Sequence, residues 1–288
     1  MDKSKLCLIY NPAARGEKAR LLDSKLRSIA NEATIFRSRK PGDAKLLAAA
    51  AVRRGFETIV AAGGDGTVNE VVNGIAQSKA RLGILPIGTM NVFAHEIGLP
   101  LNQVQKCWDV ILDGRSRTID LASANNRFFV QLAGVGLDAQ ALKETDRQMR
   151  RSIGPLSYVL SAAEIIGRPA PNLFVSAPDR LPSTASFVLV GNGKHYGGPV
   201  PVFRDARNDD GLLDVLIFKN LGYLDIVRYL HEILLGTYSD KGDIEYFQTR
   251  SVRIMSDQKV PVEIDGEAAL ETPIHFEIAG NPLEVIVP

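Results

Sequence analysis

Short apolar runs alternate with longer amphipathic stretches over the first part of the chain. Leu6–Tyr10, Thr58–Ala62 and Leu82–Pro86 read as buried strands. Between and after them, Glu17–Asn31, Asp43–Arg54, Asn69–Gln77 and Val104–Leu112 read as helices. Gly55 follows the basic pair Arg53 and Arg54 as a helix stop. Continuously apolar strands separated by helices predict a parallel sheet with helices on both faces.

The pattern changes near residue 115. From there Thr118–Ala122, Arg127–Ala133, Asn172–Ala177, Ser186–Gly191, Leu213–Phe218, Val252–Ser256, Val260–Asp265 and His275–Ala279 read as strands. Two helical stretches, about 138–167 and 222–235, interrupt them. The expected architecture is an α/β domain over residues 1–122 and a β-rich, sandwich-like domain over residues 123–288. A length of 288 residues suits two domains, each able to bury a core without disulfides.

Charge and cysteine content narrow the function. The 34 Lys and Arg residues balance 33 Asp and Glu, so a nucleic-acid partner is not indicated. Cys7 and Cys107 sit apart among apolar residues and read as reduced, buried thiols. Ile153–Gly167 is too short to span a bilayer, and the N-terminus lacks the apolar length of a signal peptide. A cytoplasmic protein is expected, with peripheral membrane contact left open.

The sharpest motif is Gly63-Gly64-Asp65-Gly66-Thr67, set between a strand and a helix. Ligands of open α/β sheets bind at the carboxyl ends of strands. Glycines there let the backbone approach a phosphate, and the following helix aims its N–H groups at it. Asp65 would repel a bare anion, and a bound Mg²⁺ gives that carboxylate a role. The plain alternative is a tight strand-to-helix turn. Ile87-Gly88-Thr89-Met90-Asn91 and Asn11-Pro12 follow two other strands and converge on the same edge. Asp265-Gly266 reads as a hairpin turn with Glu267 its solvated neighbour; Asp209-Asp210-Gly211 reads as a turn before Leu213–Phe218.

Together these segments resemble the diacylglycerol kinase-like catalytic domain family, which includes bacterial lipid kinases, sphingosine kinases and ceramide kinases. The matching residues are Asn11-Pro12, Gly63–Thr67 with Asn69-Glu70, Pro86–Thr89 with Asn91, Gly134–Asp138, Asp209–Asp214 and Asp265–Glu267. They occur in family order over nearly the whole chain. The resemblance implies a phosphofructokinase/NAD kinase-like first domain, a β-sandwich second domain and a nucleotide crevice between them. It implies ATP phosphates held by Gly63, Gly64, Asp65, Gly66, Thr67 and Asn69, with Asn11, Ser38 and Thr89 on the nucleotide. Asp65 would help place catalytic Mg²⁺, and Asp120 matches a second acidic position, unless it simply ends an exposed strand. Glu267 matches the general base that accepts the proton of the lipid hydroxyl. Arg207, Asp210 and Leu212 match a structural Mg²⁺ site, through the Asp210 carboxylate and two backbone carbonyls.

Two positions depart from the family. Arg15 stands where a glycine is expected, and Val92 replaces an acidic residue. Arg147, Arg150 and Arg151 precede the apolar stretch Ile153–Ile166, which reads either as a core helix with a solvated end or as a membrane-docking surface. The expected function is an ATP- and Mg²⁺-dependent lipid kinase at the inner membrane surface, acting on a membrane lipid; the resemblance allows a homodimer. The alternatives are a soluble-substrate, NAD kinase-like enzyme and a non-catalytic nucleotide- and lipid-binding protein.

Overall fold

The computed structural model describes residues 5–12, 26, 28, 33–136, 171–237 and 242–288. Two compact units emerge, Met1–Leu121 with Gly280–Pro288, and Ala122–Ala279. The expected helices at 17–31 (apart from residues 26 and 28, which are helical) and at 138–167 lie outside the described residues, as do Arg15 and the Arg147–Ile166 stretch.

The first unit is an α/β layer structure. Its strands are β1 (Leu6–Tyr10), β2 (Thr34–Arg37), β3 (Thr58–Gly63), β4 (Arg81–Pro86), β5 (Ser116–Ile119) and the C-terminal strand Leu283–Ile286. Their order is β2-β1-β3-β4-C-terminal strand-β5. Every residue of β1 and β3 is buried, as a sheet covered on both faces requires. The helices are α1 (Asp43–Arg53), α2 (Asp65–Ile75), the short α3 (Val92–Glu96) and α4 (Val104–Asp113). β1 to β4 are parallel, and so is the C-terminal strand beside β4. β5 closes the edge antiparallel to that strand, so the sheet is mixed at one side.

Gly280–Pro288 returns to the first unit, where a division at residue 122 assigned it to the second. Its strand is inserted between β4 and β5, a pairing too remote in sequence for local patterning to reveal. The expected strand Thr118–Ala122 splits for a related reason. Ser116–Ile119 belongs to the first unit's sheet, and β6 (Ala122–Ala124) already belongs to the second unit.

The second unit is a β-sandwich of two antiparallel six-stranded sheets. β7 (Arg127–Phe129), β9 (Leu173–Ser176), β10 (Ser183–Ala185), β16 (Ser251–Ser256) and β19 (Ile274–Ile278) join β6 in the order β10-β9-β16-β19-β6-β7. β8 (Leu132–Val135), β11 (Phe187–Gly191), β14 (Leu213–Phe218), β15 (Ile244–Thr249), β17 (Pro261–Ile264) and β18 (Glu267–Glu271) form the order β15-β14-β11-β8-β17-β18. β12 (His195–Tyr196) and β13 (Val200–Pro201) pair separately. Phe129, Val135, Val190, Val215, Ile254 and Phe276 are among the residues of the core cluster. The second sheet also buries its other face, where Phe187, Phe218 and Tyr229 pack. Tyr229 comes from α5 (Tyr223–Leu235), and the Phe187 and Phe218 rings stack at 4.1 Å. Double burial explains why β11 and, apart from Asp214, β14 read as apolar runs.

Candidate active site

In the first unit, strand register gathers the candidate nucleotide residues. Tyr10 lies opposite both Arg37 and Ala62, and Gly63 lies opposite Pro86. Four parallel strands therefore end at one level, and Asn11, Ser38, Gly64 and Ile87 follow them on one edge of the sheet. Backbone bonds bind these exits together: Ser38 N–H donates to the Tyr10 carbonyl at 3.0 Å, Asn11 N–H to Ala62 at 3.2 Å, and Ile87 N–H to Gly63 at 3.0 Å.

The Gly-rich motif forms the first turn of α2 instead of a free loop. Asp65 occupies its first turn after the extended N-cap Gly64, whereas patterning starts this helix at Asn69. A carboxylate there is stabilised by the positive end of the helix, and a helix N-terminus suits an anion. The Asn11 side chain donates to Thr67 Oγ1 at 3.3 Å, joining the β1 exit to this turn. The second loop packs directly on the first. A Cβ placed on Gly88 would stand 2.4 Å from Gly64 Cα, so the backbone at Gly88 leaves no room for a side chain. Asn91, in the left-handed region at φ 50, accepts from Gly88 N–H and donates to Gly88 carbonyl, each at 3.0 Å. Asp65 Oδ1 lies 3.5 Å from the Phe93 amide, at the limit of hydrogen bonding.

The other expected nucleotide residues divide by environment. Thr89 is exposed beside Gly88, whereas Ser38 and Asn69 are buried. Ser38 Oγ donates to the Tyr10 carbonyl at 3.4 Å, and Asn69 Oδ1 accepts from Asn73 at 3.2 Å. Asp120 is half-buried after β5. Because β5 runs against β3 and β4, Asp120 does not follow a strand end on the edge that carries Asp65. Glu70 acts structurally. Its two oxygens accept from Gly42 N–H at 2.8 Å and Ala44 N–H at 2.9 Å, capping α1.

In the second unit, Glu267 opens β18 after a two-residue turn. Asp265 and Gly266 have φ of 47° and 87°, the left-handed pair that a type I′ hairpin demands. The Asp265 carboxylate accepts three successive amides: Val130 at 3.1 Å, Gln131 at 3.0 Å and Leu132 at 3.1 Å. Those amides are thereby withdrawn from any sheet. For this reason the expected strand Arg127–Ala133 breaks into β7 and β8, which lie in different sheets. The buried Glu263 accepts from Gly266 N–H and fixes the turn from below. Asn192 secures the same segment, donating its side-chain amide to the Val130 carbonyl at 3.1 Å. Arg127 Nη2 donates to Glu267 Oε2 at 2.8 Å. Sequence reading does not find Arg127, Asn192 or the clamping role of Asp265, because each acts across more than 60 positions of chain.

The Arg207–Leu212 segment fits a cation. Asp210 Oδ1 accepts from Leu212 N–H at 3.0 Å, while the Arg207 side chain turns to Asp209 at 3.0 Å. Burial pushes the Asp214 carboxyl up to about 6, with Asp210 and Asp205 adding to the rise against hydrogen bonds from Tyr246 and Gln248. Asp214 Oδ2 and Asn208 Nδ2 are buried with no hydrogen-bond partner among the described residues. A divalent cation beside Asp210 would relieve this crowding of negative charge. Among the described residues no three His, Cys, Asp or Glu side chains cluster for a metal. Mg²⁺ held by one carboxylate, backbone carbonyls and waters needs no such cluster.

Comparison with known proteins agrees with this architecture. Residues 5–124 match the diacylglycerol kinase catalytic domain, and residues 131–287 match the YegS C-terminal NAD kinase beta sandwich-like domain. A chain named diacylglycerol kinase from Staphylococcus haemolyticus is 30% identical, over 98% of this chain and 87% of that one. One of the same name from Staphylococcus epidermidis is 29% identical, over 98% and 91%. A crystal structure named for a diacylglycerol kinase of Bacillus anthracis covers 100% of this chain and 98% of that one, with a TM-score of 0.77 at 25% identity. Another Bacillus anthracis structure reaches a TM-score of 0.85 at 26% identity, covering 100% and 97%. The chain belongs to the diacylglycerol kinase catalytic domain family, with the β-sandwich second domain that accompanies it. This is a family of lipid kinases, phosphotransferases with an alcohol group as acceptor, and kinase membership implies ATP use. Among the described residues, no helix is long and apolar enough to cross a membrane.

Proposed function

We propose that this enzyme transfers the γ-phosphoryl group of ATP to the hydroxyl of a diacylglycerol-like membrane lipid, with Mg²⁺. The observation that carries this reading is Glu267, a half-exposed carboxylate held by Arg127 at a turn locked through Asp265. A lipid alcohol is a weak nucleophile. A carboxylate within reach accepts its proton as the new O–P bond forms and the bond to the leaving ADP oxygen breaks.

The reading gives the first unit the phosphate cradle: the first turn of α2, with the Gly88 loop packed closely on its N-cap Gly64. Asp65 would hold Mg²⁺ there, and Asp210 with the Arg207 and Leu212 carbonyls would hold a second, structural ion. Bound Mg²⁺ offsets the negative charge of the phosphates and of the transferring group. With its acceptor in the bilayer, the enzyme works as a peripheral protein at the inner membrane surface.

The test is transfer of label from γ-labelled ATP to diacylglycerol in mixed micelles containing Mg²⁺, with NAD as a water-soluble competitor. Label is expected in the organic phase. Label on NAD would support the soluble-substrate reading, and ATP binding without transfer to either would support a binding protein.

A further inference from the structure

Arg127 sits on a short strand with its side chain partly exposed, and its guanidinium meets Glu267 at 2.8 Å. An ion pair this open to solvent adds little to folding stability. Its surroundings are nevertheless built with care. Arg127 lies three residues before Val130, and Glu267 lies two residues after Asp265. Asp265 ties these two segments together through three side-chain bonds, and its own N–H donates to the Leu132 carbonyl at 2.8 Å. Gly266 N–H is held by the buried Glu263, so the turn cannot swing Glu267 away from Arg127. The two backbone segments that carry the guanidinium and the carboxylate are thus held side by side.

We infer that Arg127 is a positioning residue for the reaction: it holds Oε2 of Glu267 and so presents Oε1 to the acceptor hydroxyl. This rests on the reading of Glu267 as the base. A carboxylate at the start of an edge strand would otherwise rotate among several rotamers, only some of which reach the hydroxyl. The contact is a single one, Nη2 to Oε2, and the rigid guanidinium directs that N–H along a fixed line, which a rotating ammonium would do less well. The step balances simply. The hydroxyl proton passes to Oε1, the hydroxyl oxygen bonds to phosphorus, and the bond to ADP breaks.

The experiment compares wild type, Arg127→Met, Arg127→Lys, Glu267→Gln and the double variant Arg127→Met/Glu267→Gln in transfer to diacylglycerol. ATP affinity is read by calorimetry and folding by thermal melts. Arg127→Met is expected to lower kcat roughly 10- to 100-fold, part of the ~10²–10⁴-fold that general-base catalysis contributes. ATP affinity and melting temperature should stay near wild type, and Arg127→Lys should recover part of the loss. The double variant should be no slower than Glu267→Gln, because the two side chains act as one unit. Unchanged kcat in Arg127→Met would overturn the inference. So would losses that multiply in the double variant, or a loss that appears only as weakened ATP binding. If Glu267→Gln itself keeps wild-type turnover, the assignment of the base fails first and is distinguished from these outcomes. Should Arg127→Met melt early, Arg127→Lys decides: a kcat equal to wild type contradicts the need for a rigid guanidinium.

Discussion

At the scale of single residues, contact distance separates side chains that do chemistry from those that make room for it. Gly88 makes room. A methyl group there would meet Gly64 Cα at 2.4 Å and Asn91 Oδ1 at 2.8 Å, and the first of these is backbone. Gly88→Ala is expected to cost about 1–3 kcal/mol through overpacking. It should also abolish the ATP binding heat that the proposed function expects of wild type, since the two loops must separate. Calorimetric titration with a parallel denaturation curve checks both. The buried thiols make the opposite kind of prediction. Burial pushes Cys7 up to about 12 and Cys107 up to about 11, so almost no thiolate exists at pH 8. Neither should react with a disulfide reagent in the native protein at that pH, and both should react after denaturation.

Among elements, one helix serves two ends. Gly63–Thr67 shapes the first turn of α2, while Glu70, on the same helix, caps α1. Glu70→Ala should therefore lower stability by roughly 1–2 kcal/mol, the usual worth of a lost cap at a helix N-terminus. ATP affinity should remain within about twofold, as a melt and a titration of the same sample would show. The motifs that locate the strand exits are legible in sequence because each is local: an apolar run, then a turn residue, then a helix. What holds the candidate residues within each unit is not local. The Asp265 clamp on residues 130–132, the Arg127–Glu267 pair and the Asn11–Thr67 bond join distant segments, and no spacing announces them. The same limit explains the strand boundaries. Arg127–Ala133 is apolar enough to read as one strand, yet a carboxylate more than 130 positions away takes its central amides.

At the scale of the whole chain, the last strand returns to the first unit. Leu283, Val285 and Ile286 are buried in the first unit's sheet, between β4 and β5. Burial of three such side chains is worth roughly 5–9 kcal/mol, comparable with the stability of an entire domain. A chain ending at Ala279 should fail to give a cooperative melt, although it keeps every candidate site residue. A cooperative melt near the full-length value would show that the inserted strand is dispensable. The central claim, however, is chemical, and one comparison tests it most directly. Wild type and Glu267→Gln are incubated with γ-labelled ATP, Mg²⁺ and diacylglycerol micelles, and label is counted in the organic phase. Label from wild type that falls at least ~100-fold in Glu267→Gln, with ATP binding retained, is the predicted result. Equal organic-phase label from both proteins, or none from a folded wild type that binds ATP, would contradict the account.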